Sequence, residues 1–125
     1  MKGMANEDAT SEELARRLGD EGLTVVDVRS RAEFTGERGA PCDPRQGRLP
    51  GAVHLDLGEL TGLTAPEIEA RVGAPAGSEV VAYCHSGQRS AMAVQILEAA
   101  GYRARNYPGS WHEWSRDDAL PFEAG

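Results

Sequence analysis

A cysteine stands at the junction of a predicted strand and a predicted helix in the second half of the chain. Residues 80–83 are apolar and rich in β-branched and aromatic types, which predicts a short buried strand that ends at Cys84. A helical pattern begins about six residues later, and Gly101 is placed to end it. The predicted apolar face of this helix consists of Ala91, Val94, Leu97 and Ala100. In open α/β sheets, ligands bind at such strand-to-helix junctions.

The residues after Cys84 suit a site for a negatively charged group. A tight loop before a helix directs several backbone N–H groups into one concavity, and the first helical turn has N–H groups with no internal partner. Arg89 adds a positive charge, Gly87 permits a positive φ, and Ser90 can cap the helix or donate to a thiolate. A thiol in such surroundings has a pKa below the value of about 8.5 of free cysteine. We therefore predict that Cys84 is a thiolate nucleophile at neutral pH.

A buried structural cysteine is the alternative at this position. Free cysteine is among the most buried residue types, so a lone cysteine at a strand end often only packs. The six residues that follow Cys84 include a glycine, an arginine and two serines, and a core strand needs none of these. The composition of the loop therefore favours the nucleophile.

Four segments, in order, resemble the motifs of one known family. They are residues 26–34 (VDVRSRAEF), 47–53 (GRLPGAV), 84–90 (CHSGQRS) and 107–114 (YPGSWHEW). Segment 84–90 is similar to the active-site loop of the rhodanese family of sulfurtransferases, and the other three are similar to further segments of that family. The likeness covers about residues 11 to 121. The chain resembles the catalytic half of the two-domain thiosulfate and 3-mercaptopyruvate sulfurtransferases, here as a single domain.

The alternation of predicted strands and helices agrees with the fold that the resemblance implies. We expect an α/β, rhodanese-like domain with a parallel sheet of four to five strands and helices on both faces. Residues 1–10 are predicted to be a flexible N-terminus, and residues 11–125 the single domain. Strands are predicted at 23–28, 52–57, 80–83 and 102–107, and helices at 11–19, 30–34, 64–72, 90–100 and 111–114, with a turn or short helix at 59–63. Trp111 and Trp114 are expected to pack over the site helix and close the core. An edge strand before the first helix has no clear candidate.

Composition argues against several classes of function. The 125 residues carry a net charge of −7, which disfavours binding to nucleic acid and to anionic membranes. No apolar run approaches the ~20 residues of a membrane span, and no signal-peptide pattern opens the chain. Two cysteines do not make a disulfide framework, so we expect a reducing, cytoplasmic location.

Asp27 and Arg29 flank the end of the first predicted strand, where they could serve catalysis or structure. In the family pattern, such residues hold loops near the site through ion pairs and hydrogen bonds. Ion-pair networks also cluster around clefts for structural reasons. We therefore predict a structural role near the site for both residues.

The long loop 35–49 carries three arginines and one cysteine. The arginines could line the mouth of an anion site or could lie on a solvated surface. The resemblance implies that an arginine of this loop helps to bind the anionic group of the substrate, and both Arg45 and Arg48 are candidates. Cys42 could be a resolving thiol for an oxidised nucleophile, but an incidental loop cysteine is the favoured interpretation.

The resemblance implies a sulfurtransferase in which a Cys84 persulfide carries sulfane sulfur from a donor such as thiosulfate to a thiophilic acceptor. The residues implied to bind substrate are His85, Ser86, Gly87, Gln88, Arg89, Ser90, Arg45 and Arg48. The expected partners are a small-molecule sulfur donor, a thiol or cyanide acceptor and a thioredoxin-like reductant. No metal or organic cofactor is expected.

Two other functions stay open. Some domains of this kind act as sulfur carriers, and the presence of Cys84 argues only against a regulatory module without the cysteine. Cys-x5-Arg phosphatases share the strand–loop–helix arrangement, but only four residues separate Cys84 from Arg89, and a phosphate needs a larger ring. We therefore expect sulfur transfer, and we favour thiosulfate because a fixed cation suits a dianion.

Overall fold

A four-stranded parallel sheet runs through the middle of the computed structural model, which describes residues 7–125. The strands are β1 (Leu23–Asp27), β2 (Val53–His54), β3 (Glu79–Tyr83) and β4 (Arg103–Asn106). Their spatial order is β2-β1-β3-β4, and every neighbouring pair is parallel. The predicted α/β fold is confirmed, and the described residues form the four-stranded version of the sheet.

Six helices connect or follow the strands in the described part of the chain. They are α1 (Ser11–Arg16), α2 (Arg31–Thr35), α3 (Leu57–Leu60), α4 (Ala65–Val72), α5 (Gln88–Ala99) and α6 (Ser110–Trp114). Local sequence sets several of their ends. Ser30 and Glu33 form a capping box at the start of α2, and Gly36 ends that helix with a φ of 87°.

The helices cover both faces of the sheet, as predicted. Side chains of β3 alternate, so Val80 and Ala82 point to one face and Val81 and Tyr83 to the other. On the first face these side chains pack with α3, α4 and α5, through Leu60, Ile68, Val72, Ala93 and Leu97. On the second face they pack with α1 and α6, through Leu14, Trp111 and Trp114.

The two tryptophans were expected to pack over the site helix, and that expectation is wrong. Both are fully buried, but they belong to the core on the opposite face of the sheet from α5. Their indole N–H groups donate to backbone carbonyls at 3.0 Å (Trp111 to Arg45) and 2.7 Å (Trp114 to Pro121). Burial of such large side chains requires a partner for each N–H group, and these carbonyls provide it.

The predicted strand 52–57 is much shorter in the structure. Only Val53 and His54 pair with β1, and the helix α3 begins at Leu57. The side chain of Asp56 accepts hydrogen bonds from the N–H groups of Gly58 at 2.7 Å and Glu59 at 3.3 Å. This cap stabilises a helix that begins two residues before the predicted turn or short helix 59–63, at the end of the alternating apolar pattern.

The site helix also differs from its prediction. It begins at Gln88 rather than near residue 90, and its buried side chains are Ser90, Ala93 and Leu97. Ala91 was predicted to face the core but is exposed. Gly101 ends the helix with a φ of 102°, as predicted.

The predicted flexible segment 1–10 lies mainly outside the described residues. Within residues 7–10, Ala9 is buried and its N–H group donates to the carbonyl of Asn106 at 2.8 Å. The hydroxyl of Thr10 caps α1 by accepting from the N–H of Glu13 at 3.1 Å. These contacts attach residues 9 and 10 to the domain.

Candidate active site

Cys84 directly follows β3 and precedes the helix α5, at the carboxyl edge of the sheet. This is the position that the sequence predicted for it. The residue is only 1% exposed. The side chain therefore takes its chemistry from the groups that touch it rather than from bulk water.

Three hydrogen-bond donors point at the sulfur of Cys84. The N–H of Gly87 lies 3.1 Å from Sγ, the N–H of Ser90 lies 3.4 Å away, and the hydroxyl of Ser90 lies 3.3 Å away. Burial raises the pKa of the Cys84 thiol, but the bonds from Ser90, Gly87 and the N–H of Ser86 outweigh burial and lower the pKa below its ordinary value. These hydrogen bonds favour the thiolate form of Cys84, which stays a prediction.

Gly87 has the conformation that the turn requires. Its φ is 96°, and a Cβ atom at this position would lie 2.7 Å from the carbonyl oxygen of Pro108. It is also the N-cap residue of α5 but has no side chain to cap the helix. The N–H groups at the start of α5 are therefore available to the sulfur.

Ser110 holds the other side of the turn, and the sequence analysis did not assign it a role. Its hydroxyl accepts from the N–H of Cys84 at 3.1 Å and donates to the carbonyl of Tyr107 at 2.8 Å. It adopts a φ of 54°, which is rare for a residue other than glycine. The N–H of Trp111 also donates to the carbonyl of Cys84 at 3.0 Å. The start of α6 therefore positions the backbone of Cys84.

Arg89 forms an ion pair with Glu33 rather than lying free beside the sulfur. Its two terminal nitrogens donate to the carboxylate at 3.1 and 3.3 Å. Burial raises the pKa of Glu33, but the bonds from Arg89 and from Ser30 outweigh burial and lower this pKa to about 2. The positive charge that was expected to act on the site is thus balanced by a neighbouring negative charge.

Asp27 and Arg29 form a fully buried ion pair at the end of β1. The guanidinium of Arg29 donates to Asp27 at 2.8 Å and to the carbonyl of Gly47 at 2.6 Å. The hydroxyl of Tyr83 donates to Asp27 at 2.8 Å and accepts from the N–H of Leu49 at 3.1 Å. These bonds attach the long loop to β1 and β3, which supports the structural role predicted for the pair.

Arg45 and Arg48, the predicted substrate-binding arginines, make contacts with the protein itself. The guanidinium of Arg45 donates to four backbone carbonyls, those of Trp114, Ser115, Asp117 and Leu120. Arg48 donates to the carbonyls of Phe34 at 3.2 Å and Gly125 at 3.1 Å. Their role in substrate binding stays a prediction, and these contacts do not support it.

The remaining residues of the turn face outward. The side chains of Ser86 and Gln88 are on exposed residues. The imidazole of His85 contacts the carboxylate of Asp43 through Nε2 at 2.9 Å, and His112 lies beside it with its ring centre 5.5 Å away. Asp43 and His112 were not singled out from the sequence, because no local spacing brings residues 43, 85 and 112 together.

The two cysteines are in different surroundings. Both are free thiols, with Cys84 buried and Cys42 exposed. Cys42 belongs to the long loop, and its sulfur lies 3.9 Å from a carboxylate oxygen of Asp43. It therefore shares the surroundings of the His85 side chain rather than those of the Cys84 sulfur.

Comparison with curated proteins agrees with these features. A thiosulfate sulfurtransferase of Corynebacterium glutamicum is 36% identical, over 83% of this chain and 39% of its own length. A protein of Pseudomonas aeruginosa described as a probable 3-mercaptopyruvate sulfurtransferase is 34% identical, over 90% of this chain and 43% of its own length. The chain thus spans about two fifths of the length of these curated relatives.

A solved structure and a family model give the same result. The crystal structure of a probable thiosulfate sulfurtransferase is 43% identical and superimposes with a TM-score of 0.78, over 93% of this chain and 47% of that one. None of the helices in residues 7–125 has the length and apolar character needed to cross a membrane. The model of the rhodanese-like domain matches residues 10–117. The chain therefore belongs to the rhodanese family.

Proposed function

We propose that this chain is a sulfurtransferase that carries sulfane sulfur as a persulfide on Cys84. The observation that carries the proposal is the set of donors from Gly87 and Ser90 at 3.1 to 3.4 Å from the sulfur. Such a preorganised set stabilises a thiolate before the reaction and an anionic persulfide after it. The relatives named sulfurtransferases support the same reaction class.

In the first step, the Cys84 thiolate attacks the outer sulfur of thiosulfate. A new S–S bond forms between Sγ and that sulfur, and the bond between the two sulfur atoms of thiosulfate breaks. The electron pair of the broken bond leaves with sulfite. The persulfide then carries a negative charge on its terminal sulfur, next to the N–H groups of the turn.

In the second step, a nucleophilic acceptor attacks the terminal sulfur of the persulfide. The acceptor forms a bond to that sulfur, the S–S bond to Sγ breaks, and its electron pair returns to Cys84. Cyanide is converted to thiocyanate in this way, and a thiolate is converted to a new persulfide. A thioredoxin-like reductant is a suitable thiol acceptor in a reducing, cytoplasmic compartment, with which two free cysteines are compatible.

Thiosulfate is the proposed donor, and 3-mercaptopyruvate is its competitor because relatives of both names are similar to this chain. The buried position of Cys84 favours a small donor. We propose that the turn 84–90 binds the donor through its N–H groups. Comparing kcat/KM for the two donors tests this choice, and a higher value for 3-mercaptopyruvate would reverse it.

A sulfur carrier is the second candidate, because the same donors would stabilise a persulfide that is only handed on. A phosphatase is disfavoured because Arg89, the cation that would bind a phosphate, is paired with Glu33. The test is the formation of thiocyanate from thiosulfate and cyanide under multiple-turnover conditions. A carrier forms the persulfide but turns over slowly, whereas the enzyme shows two-step, ping-pong kinetics.

The matched pair of variants is Cys84→Ser and Cys42→Ser. We expect Cys84→Ser to abolish both thiocyanate formation and the mass increase of one sulfur atom after treatment with thiosulfate. In metal-free buffer, we expect Cys42→Ser to retain both. Equal thiocyanate formation by wild type and Cys84→Ser would refute the proposed function.

A further inference from the structure

Four potential metal ligands lie together on the outer side of the turn that follows β3. They are Cys42, Asp43, His85 and His112, and one ligand atom from each lies within 4.8 Å of the others. The residues come from three separate parts of the chain: the long loop, the turn and the helix α6. The side chains of Cys42, Asp43 and His112 have no role in the sulfur-transfer steps described above, and His85 enters those steps only as a residue of the donor-binding turn.

The donor types match those of a tetrahedral zinc site. Thiolate, imidazole and carboxylate are each ligands of Zn²⁺ in proteins, and four of them complete a tetrahedral site. Bonds of about 2.0 to 2.3 Å place tetrahedral ligand atoms roughly 3.3 to 3.6 Å apart. In the structure, His85 Nε2 lies 2.9 Å from Asp43 Oδ2, and Asp43 Oδ1 lies 3.9 Å from Cys42 Sγ and 4.0 Å from His112 Nδ1. The four ligand atoms lie within 4.8 Å of one another, so changes of up to about 1.5 Å in their separations would give the tetrahedral arrangement.

The site is both accessible and supported from behind. Cys42 is exposed, and the side chains of His85 and His112 are 24% and 51% exposed, so an ion can reach the ligand atoms. The carboxylate of Asp43 is fully buried, and Arg116 donates to its Oδ1 at 2.8 Å. A second partner of this kind orients a ligating carboxylate. Arg116 also brings a positive charge, which opposes a cation at Oδ1 and favours Oδ2 as the ligand atom. The side chains of Cys42 and His112, which lie 3.9 and 4.0 Å from Oδ1, must then turn towards Oδ2.

We propose that Cys42, Asp43, His85 and His112 bind a divalent transition-metal ion of the Zn²⁺ type. Binding replaces the contact between His85 Nε2 and Asp43 Oδ2 with two metal–ligand bonds. The thiol of Cys42 loses its proton to solvent, and His85 carries its ring proton on Nδ1. No electron is transferred. The ligands come from the turn, the long loop and α6, so the ion connects these three segments. His85 is the residue next to Cys84, so this connection reaches the turn beside the sulfur.

The test uses Co²⁺, which takes the place of Zn²⁺ and is visible by absorption. The starting protein is the full chain with Cys84→Ser. The sequence has two cysteines, so Cys42 is the one thiol left in this variant. We expect one equivalent of Co²⁺ to produce a thiolate-to-metal charge-transfer band and the strong visible bands of four-coordinate cobalt. We also expect Zn²⁺ to remove these bands and to protect Cys42 from alkylation.

Three further variants are made in the Cys84→Ser chain, and circular dichroism checks that each is folded. Cys42→Ser should abolish the charge-transfer band, and His112→Ala should weaken Co²⁺ binding at least about tenfold. The control is His54→Ala, at the remaining histidine of the chain, which contacts the carbonyl of Arg29 and not this cluster. This variant should bind Co²⁺ as tightly as the Cys84→Ser chain.

Absence of the charge-transfer band in the Cys84→Ser chain would refute the site. Persistence of the band in Cys42→Ser, or equal weakening by His54→Ala and His112→Ala, would also refute it. If a variant fails to fold, the Cys84→Ser chain decides the question. Slower alkylation of Cys42 in the presence of Zn²⁺ supports the site, and an unchanged rate refutes it. None of these measurements depends on sulfur transfer, so the metal site and the proposed function can fail separately.

Discussion

The turn 84–90 and the long loop, which in the structure spans residues 36–49 after the end of α2, lie at the same edge of the sheet. They are held in different ways. In the turn, backbone N–H groups and one serine hydroxyl surround the sulfur of Cys84. In the loop, side chains from elsewhere hold the backbone, as Arg29 does at the carbonyl of Gly47 and Arg116 does at the carbonyl of Cys42. Each of these two segments contains one cysteine, so the two thiols lie in different environments at the same edge of the sheet.

This difference gives a physical reason for proposing Cys84, rather than Cys42, as the reactive thiol. Cys42 is the more exposed of the two, so exposure alone would select it for chemistry. Cys84 is buried, yet hydrogen bonds lower the pKa of its thiol despite the opposing effect of burial. Donors that are already in place, rather than contact with water, stabilise the anion.

The largest expected effect concerns the anchoring of the long loop. Arg29→Ala leaves the buried carboxylate of Asp27 without its cation and frees the carbonyl of Gly47. We expect a loss of about 3 to 5 kcal/mol in the free energy of unfolding, measured by chemical denaturation. The matched control is Arg71→Ala, which breaks an exposed pair with Glu59 and should change the free energy of unfolding far less, because solvent screens such a pair. Equal losses would show that the buried pair does not anchor the loop.

A glycine substitution tests the turn itself. Gly87→Ala combines a φ of 96° with a clash against the carbonyl of Pro108, and we expect a loss of roughly 2 to 3 kcal/mol in stability. Because the N–H of Gly87 moves with the backbone, the pKa of Cys84 should also rise. Gly73→Ala has a similar φ of 82° but no atom within 4 Å of the new Cβ, and should cost about 1 kcal/mol without changing the pKa of Cys84.

Ser90→Ala tests a single donor to the sulfur. Its hydroxyl bond to Cys84 at 3.3 Å is charge-assisted, and loss of such a bond costs about 1.5 kcal/mol or more. We expect the pKa of Cys84 to rise. At pH values below that pKa, kcat/KM for the sulfur donor should fall about tenfold. Thiolate absorbance in the Cys42→Ser chain measures the pKa of the one remaining thiol. An unchanged pKa would mean that the backbone N–H groups alone hold the anion.

The smallest expected effect concerns the ion pair between the turn and α2. The pKa of Glu33 is about 2 in the folded chain and about 4.3 when unfolded, so the folded state binds fewer protons between these values. The pair therefore stabilises the fold above about pH 4.3 and loses this contribution as the pH falls towards 2. Glu33→Gln should cost about 1 kcal/mol at pH 7 because Arg89 is partly exposed. Denaturation curves at several pH values should show the difference from wild type vanishing in acid.

Much of the fold and the centre of the site were predictable from local patterns. The apolar run 80–83 predicted β3 and placed Cys84 at its end, because a buried strand has a recognisable local sequence pattern. The turn after it predicted a positive φ at Gly87, because glycine adopts that conformation most readily. The helix start at Leu57 was missed, since a side-chain cap from Asp56 outweighed an alternating pattern. The tryptophans were assigned to the wrong face of the sheet, because periodicity shows that a side chain is buried but not which layer receives it.

The sequence by itself determined the parallel α/β arrangement and the place of Cys84 between a strand and a helix, since both depend on short-range spacing and on motifs of a known family. Tertiary structure decided the partners of the charged residues. Arg89 contacts Glu33 across 56 positions, Arg45 contacts carbonyls about 70 positions away, and Asp43 meets both His85 and His112. Long side chains bond to whatever the folded chain places within a few ångströms, and no local pattern encodes that distance.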